Sequence, residues 1–196
     1  PLIDLSVNIR GGSYLDPKGK EGLAGLTGYL MARGGIPSSP ADKLDEELEF
    51  LAARLSSSFG GLSGSVDLNL LSKDADRGFE ILRAVLAAPS FQQDKLALRK
   101  TQALQGLKQR NDDSKNIESR ERNFLAYGER FWFNRHTTAA SLKSIRREDL
   151  LAFHHEWVHP QNFIVSVSGD FDRDEMLKRL DGVFAAWPRP GKKAPP

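Results

Sequence analysis

The residues that most readily suggest chemistry are His155-Glu156-Trp157-Val158-His159. An H-E-x-x-H pattern puts two imidazoles one helical turn apart, where they bind Zn²⁺. The glutamate between them then acts as general base toward metal-bound water. That chemistry is hydrolysis of a peptide bond. The next residue argues against it. Pro160 follows His159 directly, and the residue before a proline is pushed out of the α region. The helix is therefore expected to end before His159, so that the i, i+4 pair never forms. A strand pattern starts only a few residues later, at about Phe163. Phe153 and Trp157 share a helical face, which makes this turn a packing element. Imidazoles at a helix C-terminus also complement its dipole. No Cys is present to supply a thiolate nucleophile, a thiolate zinc site or a disulfide.

A second constellation runs from Arg130 to His136 and interleaves bases with Phe131, Trp132 and Phe133. A stacking surface for single-stranded nucleic acid has this composition. The charge balance weakens that reading, since Lys+Arg 28 against Asp+Glu 26 gives +2. Aromatic residues with flanking arginines are also what anchors a protein interface. Phe131, Trp132 and Phe133 are taken as a candidate interface, and no nucleic-acid partner is expected. The basic residues Arg99, Lys100, Lys108, Arg110 and Lys115 read as a solvated face.

The elements that must position these residues follow from periodicity. Ile3, Leu5, Val7 and Ile9 alternate with polar residues, which predicts a strand with one buried face. Gly22 to Arg33 has helical spacing, yet Gly22, Gly25 and Gly28 recur every three residues. Each interior glycine costs a helix about 1 kcal/mol relative to Ala, so this helix is either packed very closely or has lost larger side chains. Ser39-Pro40 opens a helix with the stripe Leu44, Leu48, Leu51 and Leu55. Val66, Leu68 and Leu70 mark a second strand, and 74–88 a helix ended by Pro89. Ser90 and Gln93 form a capping box for a long helix to about Arg110. Helices are expected over 116–128 and 145–155, a third strand at Phe163, Val165 and Val167, and a last helix capped by Asp172. The pattern is that of an α+β or α/β domain with a mixed sheet.

A chain of 196 residues is long enough for one sizeable core. No apolar run approaches the roughly 20 residues of a membrane helix. The opening on Pro1, already inside a strand pattern, and the Pro-rich end read as cut edges of a longer chain. Residues 1–187 are expected to form one domain, and 188–196 a linker to a second. The absence of Cys is compatible with a bacterial periplasm and with a cytoplasm.

The order of short signatures along the whole chain resembles the pitrilysin/insulinase-type (M16-like) zinc metallopeptidases. They are Arg10-Gly11-Gly12-Ser13 with Gly22-Leu23-Ala24, then Ser65-Val66-Asp67-Leu68, Pro89-Ser90-Phe91 and Lys108 to Asp113. Next come Arg147 to Phe153, His159-Pro160-Gln161-Asn162 and Val165 to Phe171. The resemblance implies an α+β fold, a two-layer sandwich of a mixed, mainly antiparallel β-sheet packed against several α-helices. Active members carry an inverted H-x-x-E-H on the helix after Gly-Leu-Ala, with a further Glu on the long helix. Carried onto this chain, these positions are Gly25, Gly28 and Tyr29, with the distal Glu at Gly106 or the adjacent Gln105. A glycine offers no donor atom, and neutral tyrosine is a poor zinc ligand beside imidazole.

The resemblance thus implies an inactive domain, with zinc in an active partner domain or subunit and no cofactor of its own. The two would share a chamber that holds an extended peptide. The alternative from another class is a structural core or scaffold subunit without a peptidase role. Two further alternatives are a closely packed glycine helix in an unrelated fold and the nucleic-acid binder. On the first reading the isolated chain holds no stoichiometric zinc. Metal analysis checks this, and one tightly bound Zn²⁺ per chain would contradict it.

Overall fold

The computed structural model describes residues 1–185, 187 and 191–195. Four strands, β1 (Leu2–Arg10), β2 (Arg54–Phe59), β3 (Ser63–Leu71) and β4 (Phe163–Gly169), form one sheet in the order β2-β3-β1-β4. Every pairing among the described residues is antiparallel. The helices are α1 (Leu23–Arg33), α2 (Ala41–Phe50), α3 (Ala75–Ala87), α4 (Gln93–Gln109), α5 (Ser114–Tyr127), α6 (Ala139–Ser144), α7 (Arg147–Trp157) and α8 (Arg173–Phe184). The architecture is the expected α+β sandwich.

Period-two alternation sets the two faces of the sheet. Ile3, Leu5, Val7 and Ile9 are all buried. On β3, Leu70, Leu68 and Val66 stand opposite Ile3, Leu5 and Val7. Helices α1, α3 and α7 close over this face with Leu30, Met31, Ile81, Leu82, Leu150 and Phe153. Each such side chain contributes roughly 1.5–3 kcal/mol by leaving water. The other face is polar and bonded across strands. Asp67 accepts from Ser6 Oγ at 2.6 Å and from Ser65 Oγ at 2.8 Å, and Asn69 Nδ2 donates to Asp4 at 2.5 Å.

Three local expectations are corrected. The stripe from Leu44 to Leu55 is not one helix. α2 ends at Phe50, Ala52 takes a left-handed φ of 48°, and Leu55 lies on β2. The serine-rich β2 has little strand signal of its own, and pairing with β3 from Arg54↔Asn69 to Phe59↔Gly64 imposes the conformation. Ser90 does not cap α4, which begins at Gln93. Its N–H instead donates to Gly35 O and its carbonyl accepts from Arg147. Ser39 does not cap α2, whose N-cap residue is Pro40. There Gln92 Oε1 reaches across to accept the Ala41 N–H at 2.6 Å. Of the expected 188–196 linker, residues 188–190 and 196 lie outside the described residues. Lys192 and Ala194 hydrogen-bond to Glu156 and Asn162 of the domain.

Two contacts position α1. Its N-terminus is capped from a distance by buried Asp16, whose two carboxylate oxygens accept the Gly22 and Ala24 N–H groups at 2.8 Å each. Burial pushes the Asp16 carboxyl up to about 6, against the opposing pull of those two bonds and of Arg135. Along its length α1 lies directly on β2. Ser57 Oγ donates to Gly28 O at 2.5 Å and accepts the Ala32 N–H at 2.9 Å. A Cβ on Gly28 would collide with the backbone of Ser58 and Phe59, whereas one on Gly25 would meet nothing within 4 Å.

Urea unfolding should separate the two glycines. Gly25→Ala should stabilise by about 0.5–1 kcal/mol through helix propensity, and Gly28→Ala should destabilise by about 1–3 kcal/mol through overpacking. Equal effects would contradict the assigned contacts. The Asp16 carboxyl binds its proton more tightly in the folded chain than in the unfolded one. Its contribution is therefore fully present below about pH 4 and lost as pH rises through about 6. Stability should fall across that window by up to about 3 kcal/mol. Asp16→Asn should flatten this part of the profile, and an unchanged profile would refute the assignment.

Candidate functional site

α1 and α4 run antiparallel against each other. At one end the Gln92 N–H donates to Gly34 O at 2.9 Å. At the other, Gly22 abuts Thr137, whose carbonyl accepts from Arg110 at 3.2 Å. Between these ends the Arg99 guanidinium lies 4.2 Å from the centre of the Tyr29 ring, a cation–π contact. Gly25 is one helical turn before Tyr29, and Gly106 is two turns beyond Arg99 on the same stripe of α4. A Cβ on Gly106, as on Gly25, would meet nothing within 4 Å. The structure therefore seats Tyr29 against α4 and leaves the two glycines, with Gln105, on open surface. Gly28 differs from them, being buried against β2.

The residues at these positions do not fit a zinc ion. Gly25 and Gly106 carry no donor, Tyr29 offers a phenol oxygen, a poor zinc ligand beside imidazole, and a glutamate at Gly28 would need β2 to move. Among the described residues no group of three or more His, Asp or Glu could hold a metal.

The H-E-x-x-H segment is split as Pro160 requires. α7 ends at Trp157, and His159 lies beyond it in extended backbone. Its Nε2–H donates to Lys192 O at 3.0 Å, and its Nδ1 faces the Gln161 N–H at 3.4 Å. Asn162 Nδ2 donates to the carbonyls of both Trp157 and Lys192 at 2.8 Å. This turn clasps residues 192–194.

The aromatic cluster is partly anchored and partly open. Trp132 is half-buried, edge-on to Tyr14 at 6.0 Å, and lies against Gly61. Phe131 stacks on Tyr127 at 5.1 Å. Phe131 and Phe133 remain 40% and 47% exposed. They continue onto α5, which buries no residue and exposes Phe124, Leu125 and Tyr127. Arg130, at the start of the cluster, is exposed, and Arg135 turns inward to the carbonyls of Tyr14 and Asp16. Sequence reasoning missed the apolar face of α5, for which exposed Phe124 and Leu125 on a highly charged helix were the available signal. It also placed Arg99 on a solvated face, and no spacing rule links that residue to Tyr29.

Residues 144–196 match the family described as the peptidase M16 inactive domain. No curated protein matches the chain. Among solved structures, a peptidase M16 inactive domain from Pseudomonas fluorescens is similar at 23% identity and TM-score 0.89, over 100% of this chain and 48% of that one. A protease from Helicobacter pylori is similar at 15% identity and TM-score 0.81, again over 100% of this chain and 48% of that one. The periplasmic protease PqqL from Escherichia coli has 18% identity and TM-score 0.81, over 100% of this chain and 22% of that one. The chain thus spans half or less of the length of these structures. Residues 144–196 are thus similar in sequence to a peptidase M16 inactive domain, and the whole chain shares the fold of these solved structures.

Proposed function

We propose that this chain is the non-catalytic member of a two-part zinc peptidase. It pairs with an active domain or subunit of the same family and forms part of the chamber that holds the peptide. The carrying observation is the open α1–α4 face at Gly25, Tyr29 and Gly106, the positions onto which the resemblance carries the metal ligands of active members. The zinc and the general base then belong to the partner. The open face leaves room for a polypeptide instead of a metal. β2, an edge strand paired on one side only, offers backbone groups that an extended peptide can meet. The half-exposed Phe131 and Phe133, with Phe124 and Leu125, supply the apolar surface that pairing requires.

The test is reconstitution with the H-x-x-E-H-bearing domain encoded in the same polypeptide or beside it. Peptide hydrolysis should rise at least tenfold when this chain is added. Phe131→Ser with Phe133→Ser should weaken association about tenfold while leaving the unfolding midpoint nearly unchanged. A partner that is fully active alone would contradict the proposal, and association without any change in activity would favour the scaffold reading.

A further inference from the structure

Between α4 and the segment leading into α6 lies an open cleft of about 610 Å³, within the usual range of ligand sites. Its lining includes the aliphatic Leu104, Leu107 and Ala139 and three cations, Lys108, Arg110 and Lys143. No carboxylate lines it. Among the described residues none of the three cations makes an ion pair; Arg110 donates only to the Thr137 carbonyl. The positive field extends past the rim. Burial, Arg110 and Arg120 hold the His136 imidazole below its ordinary value. Uncompensated like charges over a low-dielectric floor attract an anion that also carries apolar surface. The lining contains no aromatic ring on which a base could stack.

The location adds direction. Gln105, which neighbours Gly106, lines the cleft, as does Thr137, which packs on Gly22 at the start of α1. The open surface over Gly25 and Gly106 therefore borders the cleft. We infer that the cleft is a subsite for a peptide segment bearing a carboxylate beside an aliphatic side chain. The carboxylate faces Lys108, Arg110 and Lys143, and the aliphatic group rests on Leu104 and Leu107. The inference deepens the peptide-holding reading above and rests on it.

The test is fluorescence anisotropy of the whole chain with labelled peptides that pair Leu with Glu, beside otherwise identical peptides that carry Gln. The acidic peptide should bind about fivefold to tenfold more tightly, as expected for loss of a few partly exposed charge contacts. Raising the salt should erase most of the difference. Lys108→Ala with Lys143→Ala should remove the preference, while Lys115→Ala, outside the cleft, should keep it. Both substituted sites are exposed, and circular dichroism checks that the fold is retained. Equal binding of both peptides, no binding of either, or an unchanged preference in the double variant would overturn the subsite. Tighter binding of a single-stranded oligonucleotide than of the acidic peptide would overturn it too. Equal binding of the two peptides would leave the chamber reading intact. An acidic preference in a chain that never associates with an active partner would instead sink the chamber reading and leave the subsite standing.

Discussion

The contact on which this structure depends is the seating of α1 on β2 at Gly28. With no Cβ at that position the helix lies directly on the backbone of Ser58 and Phe59. Ser57 joins the two elements by accepting from Ala32 and donating to Gly28 O. This contact holds an edge strand of poor intrinsic propensity beneath the helix and fixes which way α1 turns its other side. With Gly28 against the sheet, Tyr29 lies about 100° round the helix, and Gly25, four residues before Tyr29, shares its stripe; both are exposed. Packing thus decides what the exposed face carries, and the same constraint excludes a glutamate at position 28.

At positions 25 and 106 the exposed face carries no side chain that could ligate a metal. It consists of two open glycines and a tyrosine held by Arg99. Such a face keeps its shape through helix packing and the distant cap from Asp16, not through metal ligation. It is bordered by a cationic cleft on one side and leads by way of Arg110 and Thr137 toward the aromatic segment 131–133. On the proposed reading, a polypeptide passing over it would meet backbone, the aliphatic floor of the cleft and positive charge.

Much of the fold was legible in the sequence where structure is local. The alternation of β1 and β3, the helical stripe of α3 and the break imposed on His159 by Pro160 are consequences of neighbouring residues, and spacing reports them. What spacing could not report is non-local. β2 is a strand because β3 pairs with it, although Ser56, Ser57 and Ser58 favour turns as readily. Asp16 caps α1 and Gln92 caps α2 from other parts of the chain, so no capping box announces them. Phe91 is fully buried at a left-handed φ of 47°, a strained conformation that only its surroundings maintain. The site shows the same division. The glycines on α1 were visible as an anomaly, but the sequence could not tell that Gly28 serves packing while Gly25 and Gly106 serve openness. Nor could it pair Arg99 with Tyr29 across two helices.

Hydrogen–deuterium exchange on this chain, with and without the active H-x-x-E-H-bearing partner, tests the central claim most directly. The account predicts new protection in 124–133 and along the exposed stripes of α1 and α4, with little change in α3 or on the polar sheet face. Protection confined to that polar face, or none at partner concentrations that saturate activity, would contradict it.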